Sequence, residues 1–300
     1  MMLEDVLTIF YLWFRSIVLF FVPKSWRLKD VSKDNILITG AGGGLGRLLA
    51  VRFAPKVANV IICDINEDGL NGTKKLVTEA GGKCHAYICD VSDRSSVEEV
   101  ASKIFDEVGN VTMLVNNAGI VNGKSFEELK PEQIERIFRV NVLSHFWTCK
   151  AFLPAMIESD YGHVVCISSV TGLSAVPKLS DYCATKFAVL GFFQSLYVEH
   201  KPKSSVNFTV VCPYHINTGM FAGMGSTIIP TLEPDYVADE ITKAILTNQE
   251  MLILPKFFYF TTFLQSIMPV NVAPYILRAC KGDIAMDSFV GHTTNGIKKD

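Results

Sequence analysis

The stretch Asn35-Ile36-Leu37-Ile38-Thr39-Gly40-Ala41-Gly42-Gly43-Gly44-Leu45-Gly46 decides the fold of this 300-residue chain. Its first five residues are a short apolar run without polar alternation, the pattern of a strand buried on both faces of a parallel sheet. Glycines follow, and Arg47 to Phe53 then reads as a helix. Strand, glycine-rich turn and helix N-terminus in that order make a phosphate cradle. Backbone N–H groups and the helix dipole face the anion, and the missing side chains let it come close. A glycine cluster alone equally describes a flexible loop; the flanking strand and helix give it meaning here. Gly40, Gly44, Leu45 and Gly46 are the candidate nucleotide-binding residues of the turn.

Downstream, strands and helices keep alternating. Val57 to Cys63 reads as a second strand ending in Asp64, 18 positions beyond Gly46. That is the spacing at which an acid hydrogen-bonds an adenosine ribose diol. A carboxylate there repels a 2′-phosphate, and no Arg or Lys within the glycine turn or just after Asp64 compensates. NAD is therefore expected over NADP, although Asp64 also suits the cap of a helix starting near Asn66. Glu67 to Ala80 is helical, Cys84 to Cys89 a strand ended by Asp90-Val91, and Arg94 to Val108 a helix. Thr112 to Val115 is a strand running into Asn116-Asn117-Ala118-Gly119. Pro131 to Glu158 holds a long helix containing Asn141 and expected to break near Pro154. Gly162 to Ser169 is a fifth strand, Leu179 to His200 a helix, Ser205 to Cys212 a sixth strand and Met251 to Leu254 a seventh. The pattern predicts an α/β fold: a single Rossmann-type, doubly wound parallel sheet of about seven strands with helices on both faces, ligands binding beyond the strands' C-terminal ends.

Within the helix from Leu179 lies Ser180-Asp181-Tyr182-Cys183-Ala184-Thr185-Lys186. Tyr182 and Lys186 are one turn apart on one face. A free tyrosine, with a pKa of about 10, is a poor base at neutral pH; a fixed cation beside it favours the phenolate and makes proton transfer feasible. Such pairs also arise by chance, so their setting decides their meaning.

Composition narrows the partners. The formal net charge is −2 and the pI about 6.3, which gives nucleic acid no electrostatic footprint. The eight cysteines form no CxxC pair and no Cys/His cluster at metal-ligand spacing, so neither disulfides nor a metal is expected. Hydrophobic residues make up 49% of the chain and mean hydropathy is +0.28, high for a soluble protein. The excess sits partly between Val6 and Val22, an apolar and aromatic run interrupted by Thr8, Arg15 and Ser16. As a helix it would reach roughly 25 Å, the short edge of a bilayer span. Glu4 and Asp5 stand where a signal peptide carries positive charge. Residues 1–23 are thus expected to be a membrane anchor, either a short span or a helix in one leaflet, since Arg15 is costly at mid-bilayer. The basic linker 24–34, with Lys24, Arg27, Lys29 and Lys33, leaves the catalytic domain 35–255 on the cytosolic side. Residues 256–300 form a C-terminal segment whose apolar stretch Phe257 to Met268 suits either interfacial burial or packing on the sheet.

Taken in order, Thr39-Gly40-x-x-x-Gly44-x-Gly46, Asp90-Val91, Asn116-Asn117-Ala118-Gly119, Asn141, Ser169 and Tyr182-x-x-x-Lys186 resemble the short-chain dehydrogenase/reductase superfamily over roughly residues 34–255. The resemblance implies that Tyr182 is the acid/base, that Ser169 holds the substrate oxygen, and that Lys186 binds the nicotinamide ribose and lowers the Tyr182 pKa. It implies that Asn141 positions a water linking Lys186 to solvent. It also implies that Asp90 and Val91 meet the adenine, and that Asn116, Asn117 and Ala118 line the cofactor cleft. Thr218 then contacts the carboxamide, and the protein is a homodimer. Ser168 competes with Ser169 but points to the opposite face if the strand persists. One departure is Tyr214-His215 after Cys212-Pro213, where many members have a small residue. Tyr214 is therefore expected to line the substrate pocket.

The apolar N-terminus, Cys212-Pro213 through Phe221, and Leu232-Glu233-Pro234 to Pro255-Lys256 are similar to the membrane-anchored branch that contains retinol and 17β-hydroxysteroid dehydrogenases, and Asn217-Thr218-Gly219-Met220-Phe221 and Ala285-Met286-Asp287-Ser288-Phe289-Val290 resemble its retinol dehydrogenase members more. That similarity implies a lipophilic alcohol substrate, all-trans-retinol first and a steroid or fatty alcohol as the alternative. It further implies residence on the endoplasmic reticulum membrane or lipid droplets. A reading of another class, a membrane scaffold with secondary catalysis, fits poorly with an intact Asn141–Ser169–Tyr182–Lys186 set.

Overall fold

Residues 2–225 and 227–291 are described by the computed structural model; Met1, Ser226 and the end of the expected C-terminal segment, 292–300, lie outside the described residues. The chain opens with helix α1 (Met2–Phe21) and enters the sheet at β1 (Asn35–Thr39). It then alternates α2 (Gly44–Phe53), β2 (Asn59–Asp64), α3 (Glu67–Glu79), β3 (Cys84–Ile88), α4 (Arg94–Glu107) and β4 (Met113–Asn116). A second half follows: α5 (Pro131–Phe138), α6 (Ser144–Glu158), β5 (His163–Ile167), α7 (Ser180–His200), β6 (Asn207–Pro213), α8 (Pro234–Leu246) and β7 (Met251–Leu254), then α9 (Phe258–Ile267) and α10 (Ala273–Ala279).

The seven strands pair in parallel in the order β3-β2-β1-β4-β5-β6-β7. Strand order reverses between β1 and β4, so a crevice opens beyond their C-terminal ends, where ligands bind in such sheets. The alternation of side chains along β1 builds both core layers. Ile36 and Ile38 face one layer with Leu49 and Phe53 of α2 and Val237 and Ile241 of α8. Leu37 faces the other with Val97 and Ile104 of α4 and Phe152 of α6. Burial on both faces is why β1 reads as an unbroken apolar run.

Three expectations change in detail. The break in the 131–158 region falls at Asn141, where Arg139–Leu143 forms a π-helical turn and the Ser144 N–H bonds the Arg139 carbonyl. Pro154 sits inside α6, on its exposed face, without ending it, since proline removes a single backbone donor and bends a helix held by its buried face more readily than it breaks one. The fifth strand stops at Ile167, which leaves Ser168 and Ser169 in the turn beyond it. Helix α8, unforeseen, has Pro234 at its first position and buried Val237, Ala238, Ile241, Ala244 and Ile245 at helical spacing.

Helix α1 carries its apolar side chains in the open: Phe10 is 69% and Trp13 72% exposed. Among the described residues, no helix is long and apolar enough to cross a membrane.

Candidate active site

The glycine turn holds its shape through neighbours. Gly46, in the first turn of α2, has no room for a side chain: a Cβ there would meet the Gly40 carbonyl oxygen and Asn117 Nδ2. The first-turn N–H groups of α2 have no acceptor within the helix, and the Leu45 side chain packs into the core, so Gly44, Leu45 and Gly46 offer backbone donors. Thr218 stands across the cleft, its Cβ 3.6 Å from where a Cβ on Gly44 would lie.

Asp64, at the end of β2, accepts from the Gly42 N–H at 2.8 Å and from the Asn66 N–H at 2.9 Å. It ties the turn to β2; the cap of α3 is Asn66, which accepts from Gly69 N–H at 3.0 Å. Arg47, one residue past the turn, is engaged inward by the Gly42 carbonyl, the Gly69 carbonyl at 3.2 Å and Thr73 Oγ1 at 2.9 Å. Asp90 is exposed beyond β3, with Oδ1 accepting from Ser92 N–H and Oγ–H, while Val91 is buried.

Beyond β4, adjacent residues part company. Asn116 is buried toward α6, accepting from Thr148 Oγ1 at 2.7 Å, so its side chain points away from the cleft it was expected to line. Successive strand residues point to opposite faces, and Asn116 still obeys the strand. Asn117 Nδ2 donates to the Thr39 and Gly40 carbonyls at 2.9 and 3.1 Å. Thr39 Oγ1 accepts from the Asn117 and Ala118 N–H groups at 3.0 and 3.2 Å. The β4 loop and the glycine turn are thereby one rigid unit, with the Ala118 backbone against Gly40.

Across the cleft, α7 presents Tyr182 and Lys186, 5% and 4% exposed. The ammonium lies 5.5 Å from the centre of the Tyr182 ring and donates to the Ile167 carbonyl at 3.0 Å. Ser169 accepts from Thr171 N–H at 3.1 Å and donates to the Pro213 carbonyl at 3.3 Å, and it is near enough to the Tyr182 phenol to oppose the rise in its pKa. Ser168 turns away and donates to the Lys186 carbonyl at 2.9 Å, which holds α7 against β5. Asn141, wholly buried in its π turn, accepts from Ile120 N–H at 2.8 Å and donates to Ile120 O and Thr185 Oγ1. The set Asn141, Ser169, Tyr182 and Lys186 thus converges at one end of the crevice.

Burial governs the protonation of this pair. It pushes the Tyr182 phenol well above its ordinary range, with Ser169 pulling the other way, and pushes Lys186 down to about 8. The phenol is not lowered as the neighbouring Lys186 led one to expect; burial governs both groups, because the charged form of each pays for lost hydration.

Two further corrections concern the pocket wall. Tyr214 is turned toward α9, stacked on Phe258 at 5.7 Å and bonded through its hydroxyl to Thr227 Oγ1 at 2.8 Å. The ring beside the phenol belongs instead to Phe221, edge-on to Tyr182 at 5.6 Å. His215 packs edge-on to Phe221 at 5.6 Å, and its burial lowers its pKa, so it is neutral near pH 7. Ile137, Leu179, Cys183 and Met286 complete an apolar cluster around Tyr182. No spacing rule marks Phe221 or Met286; only the packing of distant segments does.

A sequence profile of the short chain dehydrogenase family matches residues 34–228. Epidermal retinol dehydrogenase 2 of Homo sapiens is 46% identical over 87% of this chain and 87% of its own length. Estradiol 17-beta-dehydrogenase 11 of Homo sapiens is 39% identical over 92% of each. A solved short chain dehydrogenase/reductase from Burkholderia phymatum, in complex with NAD, shares the fold with a TM-score of 0.73 at 24% identity, covering 80% of this chain and 95% of that one. The chain belongs to the short-chain dehydrogenase/reductase family and is an oxidoreductase acting on CH–OH groups.

Thr39→Val leaves two N–H donors without their acceptor and should lower stability by about 1–3 kcal/mol. Urea denaturation measures it, and an unchanged midpoint would contradict the rigid tie between turn and loop.

Proposed function

We propose that the protein oxidises a lipophilic alcohol at a membrane surface with NAD, all-trans-retinol being the substrate that best fits its relatives. The observation that carries this reading is a buried phenol with a serine hydroxyl and an ammonium against it, in a cluster that is otherwise apolar. The glycine cradle, whose free first-turn donors a Cβ on Gly46 would disrupt, fits a dinucleotide pyrophosphate. Asp64 would hold the adenosine ribose and disfavour a 2′-phosphate, and the one nearby guanidinium, Arg47, is engaged elsewhere. Bound there, NAD supplies the hydride acceptor. Asp90, Val91, Asn117, Ala118 and Thr218 would line the remainder of its cleft.

The chain's own residues handle the proton. Ser169 orients the carbinol oxygen toward the phenol, and Tyr182 takes its proton. Lys186, held by the Ile167 carbonyl, stabilises the phenolate. Asn141 fixes the β4 loop beside Lys186 through Ile120 and serves as a positioning residue for a water that returns the proton to solvent. In the opposite direction the protonated phenol donates to a carbonyl.

The membrane setting is supported by the exposed apolar faces of α1 and of α9, where Phe260, Phe263 and Ile267 are exposed. A helix lying in one leaflet buries such a face without spanning. A steroid substrate is the second reading, favoured by the identity to estradiol 17-beta-dehydrogenase 11.

Purified protein offered retinol, estradiol and a long-chain alcohol should turn over retinol fastest and with NAD rather than NADP, and Tyr182→Phe should lose at least 100-fold in kcat. Preferential steroid turnover would replace the retinol reading, and near wild-type turnover by the variant would refute the proton route.

The two directions should also respond differently to pH. A phenol pushed up by burial is protonated at pH 7, so alcohol oxidation rises as pH increases and levels off above about 8, where Lys186 loses its charge. Carbonyl reduction, which uses the phenolic proton, should stay flat over the same range, because the raised phenol keeps its proton. Parallel pH profiles would contradict Tyr182 as the shared acid and base.

A further inference from the structure

After α10 the chain returns over the catalytic tyrosine as an irregular strap, residues 284–291. It is fastened along its length to the segment that carries Phe221. The Gly225 N–H donates to the Ala285 carbonyl at 2.7 Å, and the Val290 and Gly291 N–H groups to the Ala222 carbonyl at 2.9 and 3.1 Å. Ser288 Oγ donates to the Gly223 carbonyl at 2.7 Å. On the other side Lys178 meets Asp287 at 2.7 Å. Ala285 and Met286 are 1% and 3% exposed, as deeply buried as the sheet's own core.

The seat of the strap is shaped by missing side chains on two different loops. Gly123 has φ +63°, and a Cβ there would strike the Phe289 ring. Gly223 has φ +83°, and a Cβ there would strike the Ser288 carbonyl and Val290. Both backbones are in the left-handed region that disfavours other residues. With the strap seated, three rings run in a row from the catalytic phenol: Tyr182 to Phe221 at 5.6 Å, then Phe221 to Phe289 at 6.3 Å, each edge-on. Met286 packs in the same cluster as Tyr182, with Ile120, Val121 and Val176 beside them.

We propose that the strap is a specificity element, in which Phe289 and Met286, with Phe221, form the wall that receives the apolar chain of the substrate. This rests on the reading of the site as a lipophilic-alcohol dehydrogenase and names the residues that make it lipophilic. Binding energy gathered along a remote chain raises turnover of the alcohol that has one, and each methylene held in an apolar pocket changes kcat/KM by about tenfold or more. A short alcohol reaches Ser169 and Tyr182 without touching the wall and gains nothing from it. The strap therefore sets selectivity by chain length while the proton chemistry stays with α7.

The test compares kcat/KM for butanol and hexadecanol with NAD, in wild type and in Phe289→Ala, Phe289→Leu and Gly123→Ala, alongside amide exchange of residues 219–225. In Phe289→Ala and in Gly123→Ala, which denies the ring its seat, the hexadecanol-to-butanol ratio should fall about tenfold or more. Exchange in 219–225 should quicken, and Phe289→Leu, which keeps apolar bulk, should retain most of the ratio. A ratio unchanged in both Phe289→Ala and Gly123→Ala overturns the inference. If wild type itself fails to prefer hexadecanol, the lipophilic-alcohol reading falls and takes the wall with it. Quickened exchange in the variants would then show only that the strap is seated as described.

Discussion

Everything at the catalytic end depends on keeping an ammonium out of water. Lys186 is almost fully buried, pushed down to about 8, and donates to a single backbone carbonyl, that of Ile167. A buried cation is tolerated only where partners compensate its lost hydration. That demand explains why Ile167 ends its strand where it does, why Ser168 bonds the Lys186 carbonyl, and why Asn141 fixes the loop that packs beside the ammonium. The phenol beside it is held in the opposite state, neutral by burial. A neutral acid next to a marginal cation is a pair suited to passing one proton between a bound alcohol and the protein.

The nucleotide end is stiff for a different reason. Thr39, Asp64 and Asn117 use their side chains on backbone groups of the glycine turn and the β4 loop. Preformed donors lose little entropy when an anion arrives. One consequence is that Asn117 and Asp64 are as much architecture as binding groups, a dual use that sequence spacing does not reveal.

Much of this was legible from the residues because parallel sheets write themselves plainly. Strands buried on both faces give apolar runs, the glycine turn has a fixed place after the first of them, and Tyr182 and Lys186 are local on one helix. Contacts between segments far apart in the chain were not legible. Asn116 points to Thr148, Tyr214 turns to Phe258, and Phe221 takes the place beside the phenol, all because of packing that no periodicity encodes. Proline is visible as a letter and suggests a break at Pro154, whereas the one-residue insertion that makes the π turn at Asn141 leaves no such mark. The direction of the Tyr182 shift is set by burial, a property of the whole fold, whereas the sequence displays only the neighbouring lysine.

The central claim is that this crevice moves a hydride from the carbinol carbon of a lipophilic alcohol while α7 moves the proton. The measurement that tests it most directly uses retinol deuterated at its carbinol carbon, the purified protein and NAD, with mass spectrometry of the recovered dinucleotide. The account predicts one deuterium in each reduced dinucleotide and a slower rate with the labelled alcohol than with the unlabelled one when hydride transfer limits turnover. Reduced dinucleotide carrying no deuterium would contradict it.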